Sequence, residues 1–264
     1  MLGKGWLLIF INFYRPIFLG DVDFHVAFLY FKFRVEKISI ICYNEYIKVL
    51  EGKDMKVLLV NGSPNKNGCT ARALTEIANT LMECGIESEI FHIGKKAVSG
   101  CMGCRACRDL KKCVIDDIVN EFSQKAESAD GFIFGSPVYY ASANGALTAF
   151  MDRLFYSDRC AKKNFFAFKP AAAVASARRA GTTPTLDQLN KYFAISCMPI
   201  ITSTYWNEVH GNAAEEVEQD LEGLRTMRNL ARNMAWFLKL KKAGEESGIT
   251  LPKTEYTPST NFIR

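Results

Sequence analysis

The chain has 264 residues, 48% hydrophobic and 23% charged, which gives ample material for one core and suits one domain of roughly 200 residues with an extension. A formal net charge of +5 is mild, and no basic stripe with interleaved aromatics stands out, which argues against a nucleic-acid partner. Nine cysteines, four of them within thirteen residues, are not spaced like a secreted disulfide framework; in a reducing, cytoplasmic setting such a cluster more often binds metal.

Residues 1–54 differ in texture from the rest. They hold seven of the 19 Phe and show no period of 2 or 3.6; with seven Lys/Arg and six Asp/Glu they leave a charge of +4 on the remainder. Residues 6–13, with Lys4 before them, could pass for the apolar part of a signal peptide. However, Arg15-Pro16 interrupts the run, no small-residue cleavage site follows, and no stretch approaches the ~18 apolar residues of a spanning helix. A membrane-associating leader, an extra β-rich element and an upstream misread of the start codon all compete. The last is the expectation adopted, because Met55 sits directly before the first strand. No fixed packing of residues 1–54 on the core and no stable membrane insertion are expected.

From Met55 the pattern is regular. Val57 to Val60 form a short apolar run, as a parallel strand covered on both faces requires. Asn61-Gly62-Ser63-Pro64 breaks it, a small polar loop follows to Gly68, and Thr70 is the expected cap of a helix carrying Leu74, Ile77, Ala78 and Leu81. A strand that turns into a helix N-terminus through such a loop presents free N–H groups and suits an anion, most often a phosphate. The loop is neither a Walker A loop nor GxGxxG, and an ordinary tight βα turn is the plain alternative. Residues 87–93 alternate as a second strand, in which His92 is given no role. The cysteine loop spans 100–113, and 116–129 form an amphipathic helix with Asp116 and Asp117 at its positive end. A third strand, 131–134, ends in Gly135-Ser136-Pro137-Val138-Tyr139-Tyr140, and a helix begins at Ser142. A fourth strand, 171–174, empties into 176–181, and Thr183-Pro184 marks a helix start running to Ile195. Residues 198–203 are predicted as the fifth strand and Asn212 as the cap of a long helix from 213 to about 242. The domain is thus expected over 55–243, with 244–264 as a C-terminal arm.

Five strands alternating with five helices describe an α/β fold, a doubly wound five-stranded parallel sheet with helices on both faces. Ligands of such sheets sit at the C-terminal strand ends, at the switch point of strand order. Three strand ends carry the suitable residues: 61–68 for a phosphate, 135–140 for a planar heterocycle, and 176–181 for its far edge. One phosphate and one flat ring held by neighbouring loops is the shape of a mononucleotide, FMN more than NAD.

GSPNKNGCT, FGSPVYYASANGALTAFMDR and the compact cysteine run resemble the flavodoxin-like NAD(P)H-dependent FMN reductases, in particular their iron–sulfur flavoproteins. The resemblance covers 55–264. It implies a flavodoxin-like fold and an FMN whose phosphate is held by Ser63, Asn67, Gly68, Cys69 and Thr70. Its isoalloxazine would lie against Ser136, Pro137, Val138, Tyr139 and Tyr140, with Ser176, Arg178 and Gly181 closing the pocket. Cys69 stands where such loops often carry Asn; only its backbone N–H would be needed. The resemblance further implies at least a dimer, one subunit's cluster facing the other's flavin.

Cys101, Cys104, Cys107 and Cys113 form C-x2-C-x2-C-x5-C. A tight loop of this spacing turns its thiolates around one centre, and the favoured metal is a [4Fe–4S] cluster. Structural zinc usually uses two separated pairs. Redox thiols are the other reading, since Arg105, Arg108, Lys111 and Lys112 would lower thiol pKa values. Cys84, Cys160 and Cys197 read as buried small hydrophobes. The predicted activity is that of an FMN-dependent oxidoreductase moving electrons between NAD(P)H or ferredoxin and a quinone, an oxygen species or a protein. The flavin carries the chemistry and no side chain is assigned as catalytic. A flavodoxin-type carrier, or a redox sensor using the cysteines as thiols, are the rivals.

Overall fold

The computed structural model describes residues 55–255, 260 and 262. The expectations for 1–54, and most of the tail beyond 255, lie outside the described residues. The sheet begins with β1 (Lys56–Asn61), which is followed by helix α1 (Cys69–Glu83) and β2 (Glu87–His92). The short α2 (Cys107–Leu110) lies in the cysteine loop, and α3 (Ile118–Glu127) leads into β3 (Gly131–Tyr139). A two-residue β4 (Ser142–Ala143) turns back antiparallel on β3 and is followed by α4 (Gly145–Ala161), β5 (Ala171–Ala177) and α5 (Thr182–Ile195). The chain closes with β6 (Glu208–His210), α6 (Ala214–Val217) and α7 (Leu221–Glu246).

The five parallel strands run in the order β2-β1-β3-β5-β6. The chain leaves β1 to one side for β2 and then crosses to β3 on the other, so the order reverses between β1 and β3. That crevice is where such sheets hold ligands.

Strand alternation divides the core in two. Leu58, Val60, Phe132, Phe134 and Ala173 point to one face and pack with Phe122 of α3, Phe150 of α4 and Phe193 of α5. Val57, Leu59, Ile133, Ala172 and Val174 point to the other and pack with Leu74 and Ile77 of α1 and Met227 and Leu230 of α7. The first face is aromatic: Phe122 meets Phe91 and Phe150 edge-on at 5.0 and 5.4 Å between ring centres. Such pairs add about 0.5–1.5 kcal/mol beyond the area they bury. The alanines of β5 leave space for the rings packed above them.

Five local expectations are corrected. The helix expected from Ser142 starts at Gly145, because 142–143 pair back on β3 and Asn144 takes the cap. The fifth strand is not 198–203. Ile200 makes only an isolated bridge to Ala171, and the edge position is taken by β6. Hydrogen bonds with α7 draw 202–204 away from the sheet: Asn233 Nδ2 donates to the Thr202 carbonyl (2.7 Å), and Ser203 Oγ to the backbone carbonyl of Thr226 (2.7 Å). Thr70 does not cap α1, because the helix already begins at Cys69 with Gly68 as its cap. Asn212 does not cap one long helix. Asp220 starts α7 afresh, one carboxylate oxygen accepting from Gly223 N–H (2.9 Å) and the other from His210 N–H (2.7 Å). Pro184 is not at the first helical position, since α5 starts at Thr182 with Gly181 as its cap. Among the described residues no helix is long and apolar enough to cross a membrane.

Candidate functional site

The C-terminal ends of β1, β3 and β5 lie side by side, and direct contacts join their loops. Gly62 N–H donates to the Gly135 carbonyl (2.8 Å), tying the first loop to the second. A Cβ on Gly62 would stand 2.7 Å from Leu147 Cδ2 and 2.8 Å from that carbonyl, so this approach needs glycine. Thr70 and Ser176, both buried, share a hydroxyl–hydroxyl hydrogen bond of 2.7 Å that ties the first loop to the third. Gly181 lies against Val138 and Ala141 and ties the third loop to the second.

The first loop is shaped by residues that the sequence pattern passes over. Asn61 Oδ1 accepts from Ser63 N–H (3.0 Å), and Ser63 Oγ accepts from Asn65 N–H (3.1 Å). His92, at the end of β2, places Nε2 at 2.8 Å from the Ser63 carbonyl. With the loop so folded, Gly68 caps α1 without a side chain. The N–H groups of Cys69, Thr70 and Ala71 have no intrahelical acceptor and face the positive end of the helix dipole. Asn67 is exposed beside them. Cys69 does more than lend an N–H: its thiol donates to the Gly211 carbonyl (3.3 Å), and burial raises its pKa.

In the second loop Ser136 is fully buried and engaged, its hydroxyl donating to the Pro137 carbonyl (2.8 Å) and accepting from Asn144 N–H (2.9 Å). Asn144 in turn caps α4 through Ala146 N–H (2.8 Å). Pro137 and Val138 are half-buried, while the Tyr139 and Tyr140 side chains are exposed. Tyr140 and Ala141 both adopt left-handed backbone (φ +51° and +57°), an uncommon state for non-glycine residues that makes the tight turn into β4. In the third loop Arg178 is exposed and Ser176 is buried. The arrangement fits FMN in kind: an open helix N-terminus for a phosphate, beside a loop that exposes the flat side chains of Tyr139 and Tyr140.

The cysteine loop frames a shallow recess, open to solvent. All four motif cysteines line it, together with Arg105, Arg153 and Tyr156 among others. Cys101 and Cys104 are exposed, Cys107 is buried, and Cys113 lies between. Left-handed backbone at Gly103, Arg105 and Lys111 lets so short a loop turn on itself. Against the lowering expected from the flanking Arg and Lys, burial pushes the Cys107 thiol up to about 11, helped by a hydrogen bond with Cys160. Cys160 is thus a neighbour of the motif, and with Cys197 exposed and Cys84 half-buried, none of the three is the buried small hydrophobe expected. Among the described residues no three His, Cys, Asp or Glu side chains gather closely enough to hold one metal ion. Four cysteines lining one recess are the donor set that an iron–sulfur centre would use.

Sequence reasoning missed Arg153 here. Its side chain is wholly buried and makes a two-pronged ion pair with Asp117 (2.7 and 2.8 Å). Burial would raise the Asp117 pKa, but the Arg153 fork and the Val119 N–H hold it below the ordinary value. The signal for Arg153 was its place at the end of the second motif, about two turns down a helix from the ring loop.

The comparisons agree with this geometry. Residues 55–213 match the family profile of the NADPH-dependent FMN reductases. An iron–sulfur flavoprotein of Methanocaldococcus jannaschii is 34% identical over 196 residues, covering 71% of this chain and 100% of that protein. Another, of Methanosarcina thermophila, is 30% identical over 191 residues, covering 70% and 96%. Among solved structures, a flavoenzyme NAD(P)H:acceptor oxidoreductase of Paracoccus denitrificans superposes with a TM-score of 0.54 at 17% identity, over 70% of this chain and 98% of that one. The chain belongs to the flavodoxin-like NADPH-dependent FMN reductases, among their iron–sulfur flavoproteins, and is a flavin-dependent oxidoreductase.

Proposed function

We propose that the protein moves electrons between NAD(P)H or a ferredoxin-like donor and a quinone, an oxygen species or a protein acceptor, using FMN and a [4Fe–4S] cluster. FMN supplies two-electron exchange and the cluster one-electron passage; the chain supplies position and electrostatics. Ser63, Asn67, Gly68, Cys69 and Thr70 hold the phosphate. Ser136 to Tyr140 flank the ring, and Ser176, Arg178 and Gly181 close the far edge. Cys101, Cys104, Cys107 and Cys113 ligate the cluster. A cytoplasmic protein that is at least a homodimer completes the reading.

The observation that carries it is one helix serving both places. Asn144, the cap of α4, is hydrogen-bonded to the ring loop, and Arg153 on the same helix lines the cysteine recess. Eight residues separate Gly145 from Arg153, about 12 Å along the axis. A second reading keeps FMN but uses the cysteines as redox thiols; Cys160 lies close enough to Cys107 to pair with it, but the raised pKa of Cys107 works against thiolate reactivity. The test is an ultraviolet–visible spectrum of anaerobically purified protein, with iron, sulfide and flavin assayed on the same sample. Flavin bands with a broad shoulder that bleaches on reduction, and matching iron and sulfide, support the cluster. Flavin without iron leaves the thiol reading. Turnover of NAD(P)H with a quinone separates an enzyme from a pure carrier, which would show almost none.

A further inference from the structure

A buried arginine is rare unless it is paired and hydrogen-bonded, and Arg153 has a partner for each nitrogen. Nη1 and Nη2 donate to the two oxygens of Asp117, and Nη2 also donates to the Ile115 carbonyl (2.9 Å). The N–H on Nε donates to the sulfur of Cys113 at 3.3 Å. The main chain of Cys113 is held as well. Its N–H donates to Asn120 Oδ1 (3.0 Å) and its carbonyl accepts from Asn120 Nδ2 (2.9 Å), with Asn120 itself buried. Asp117 is fixed in turn by the Val119 N–H (3.0 Å). The fourth cysteine of the motif is therefore held at both backbone and sulfur by α3 and α4.

We propose that Arg153 is the positioning residue of the iron–sulfur centre: it fixes the Cys113 sulfur as a ligand and, as a buried cation balanced by Asp117, sets the centre's reduction potential. The inference rests on the cluster reading above. Cluster potentials follow net charge, hydrogen bonds to sulfur and solvent exposure. Partners behind a ligand tune the metal much as the ligands do. An N–H bond to sulfur and a nearby cation both stabilise the reduced, more negative form, so Arg153 raises the potential. Asp117 offsets part of that charge and lowers it. A purely structural fork, one that merely ties the β2-to-β3 crossover to α4, predicts no such opposition of sign.

The experiment is a potentiometric titration of the cluster, followed by electron paramagnetic resonance, on full-length protein with assayed iron, sulfide and FMN. Arg153→Gln is expected to lower the midpoint potential by a tenfold change in equilibrium constant, ~59 mV for a one-electron couple. Asp117→Asn keeps a good helix cap, removes the balancing charge and is expected to raise it. Arg153→Lys keeps the charge without the Nε–H and should fall between Arg153→Gln and the wild type. Arg153→Gln protein that folds and binds FMN but loses iron also supports the positioning role. The proposal is overturned if both variants keep the wild-type potential, or if both shift it the same way. Should Arg153→Gln not fold, Asp117→Asn decides: a rise supports the proposal, and a fall or no change ends it. Wild-type protein with flavin but no iron or sulfide would refute the cluster reading itself, and this inference with it.

Discussion

Replacing Gly181 by alanine tests whether the second and third loops must touch for the site to exist. Gly181 caps α5 at φ +94°, a left-handed conformation that costs an L-residue about 1–2 kcal/mol. The new Cβ would stand 2.7 Å from Val138 Cγ1 and 2.8 Å from Ala141 Cα. Val138 can rotate away, but the second contact is backbone, and Ala141 is already left-handed at φ +57°. Overpacking of this kind adds about 1–3 kcal/mol, so the total is about 2–5 kcal/mol. Urea unfolding of the flavin-free protein should show the loss as a lower midpoint with an unchanged slope. FMN affinity, followed by quenching of flavin fluorescence, should weaken as well, because the ring loop is pushed outward. Gly145→Ala is the control: nothing lies within 4 Å of its Cβ position, and its effect should stay within about 0.5 kcal/mol. A Gly181→Ala protein as stable as that control, with wild-type FMN affinity, would refute the packing argument.

Two further outcomes follow from buried polar groups. Burial pushes the Asp158 carboxyl up to about 6, against the Phe165 N–H bond that favours its charged form. Because its folded pKa is raised, the stabilisation from protonation is full below the unfolded value near 4 and is lost as pH rises through about 6. Asp158→Asn should therefore stabilise the protein at pH 8 by up to about 3 kcal/mol and change little at pH 4; equal effects at both pH values would count against it. Thr70→Val strands the buried Ser176 hydroxyl and should cost about 1–3 kcal/mol, with weaker FMN binding. Adding Ser176→Ala should recover part of that loss, since removing both partners leaves nothing unpaired; strictly additive losses in the double-mutant cycle would show that the bond carries no coupling.

The sequence by itself determined the architecture and which loops follow the strand ends. Continuous apolar runs such as 57–60 can only be buried on both faces, and polar, glycine-bearing turns mark where each strand ends. The sheet with its reversal, the three loops and the cysteine recess all follow from such local patterns together with the family resemblance. Tertiary structure decided what depends on partners distant in the chain. The edge strand moved from 198–203 to Glu208–His210 because α7, more than twenty residues on, takes the polar groups of 202–204. Thr70 became a bond to Ser176 instead of a cap, over a separation of 106 residues. His92 and Arg153 lie in regular elements where their side chains carry no periodic signal; only the folded chain sets one against the Ser63 carbonyl and the other against the Cys113 sulfur. Periodicity reports which face of an element is covered. It does not report which polar group from across the chain arrives to satisfy a buried donor, and at this site those arrivals place the loops and the sulfur.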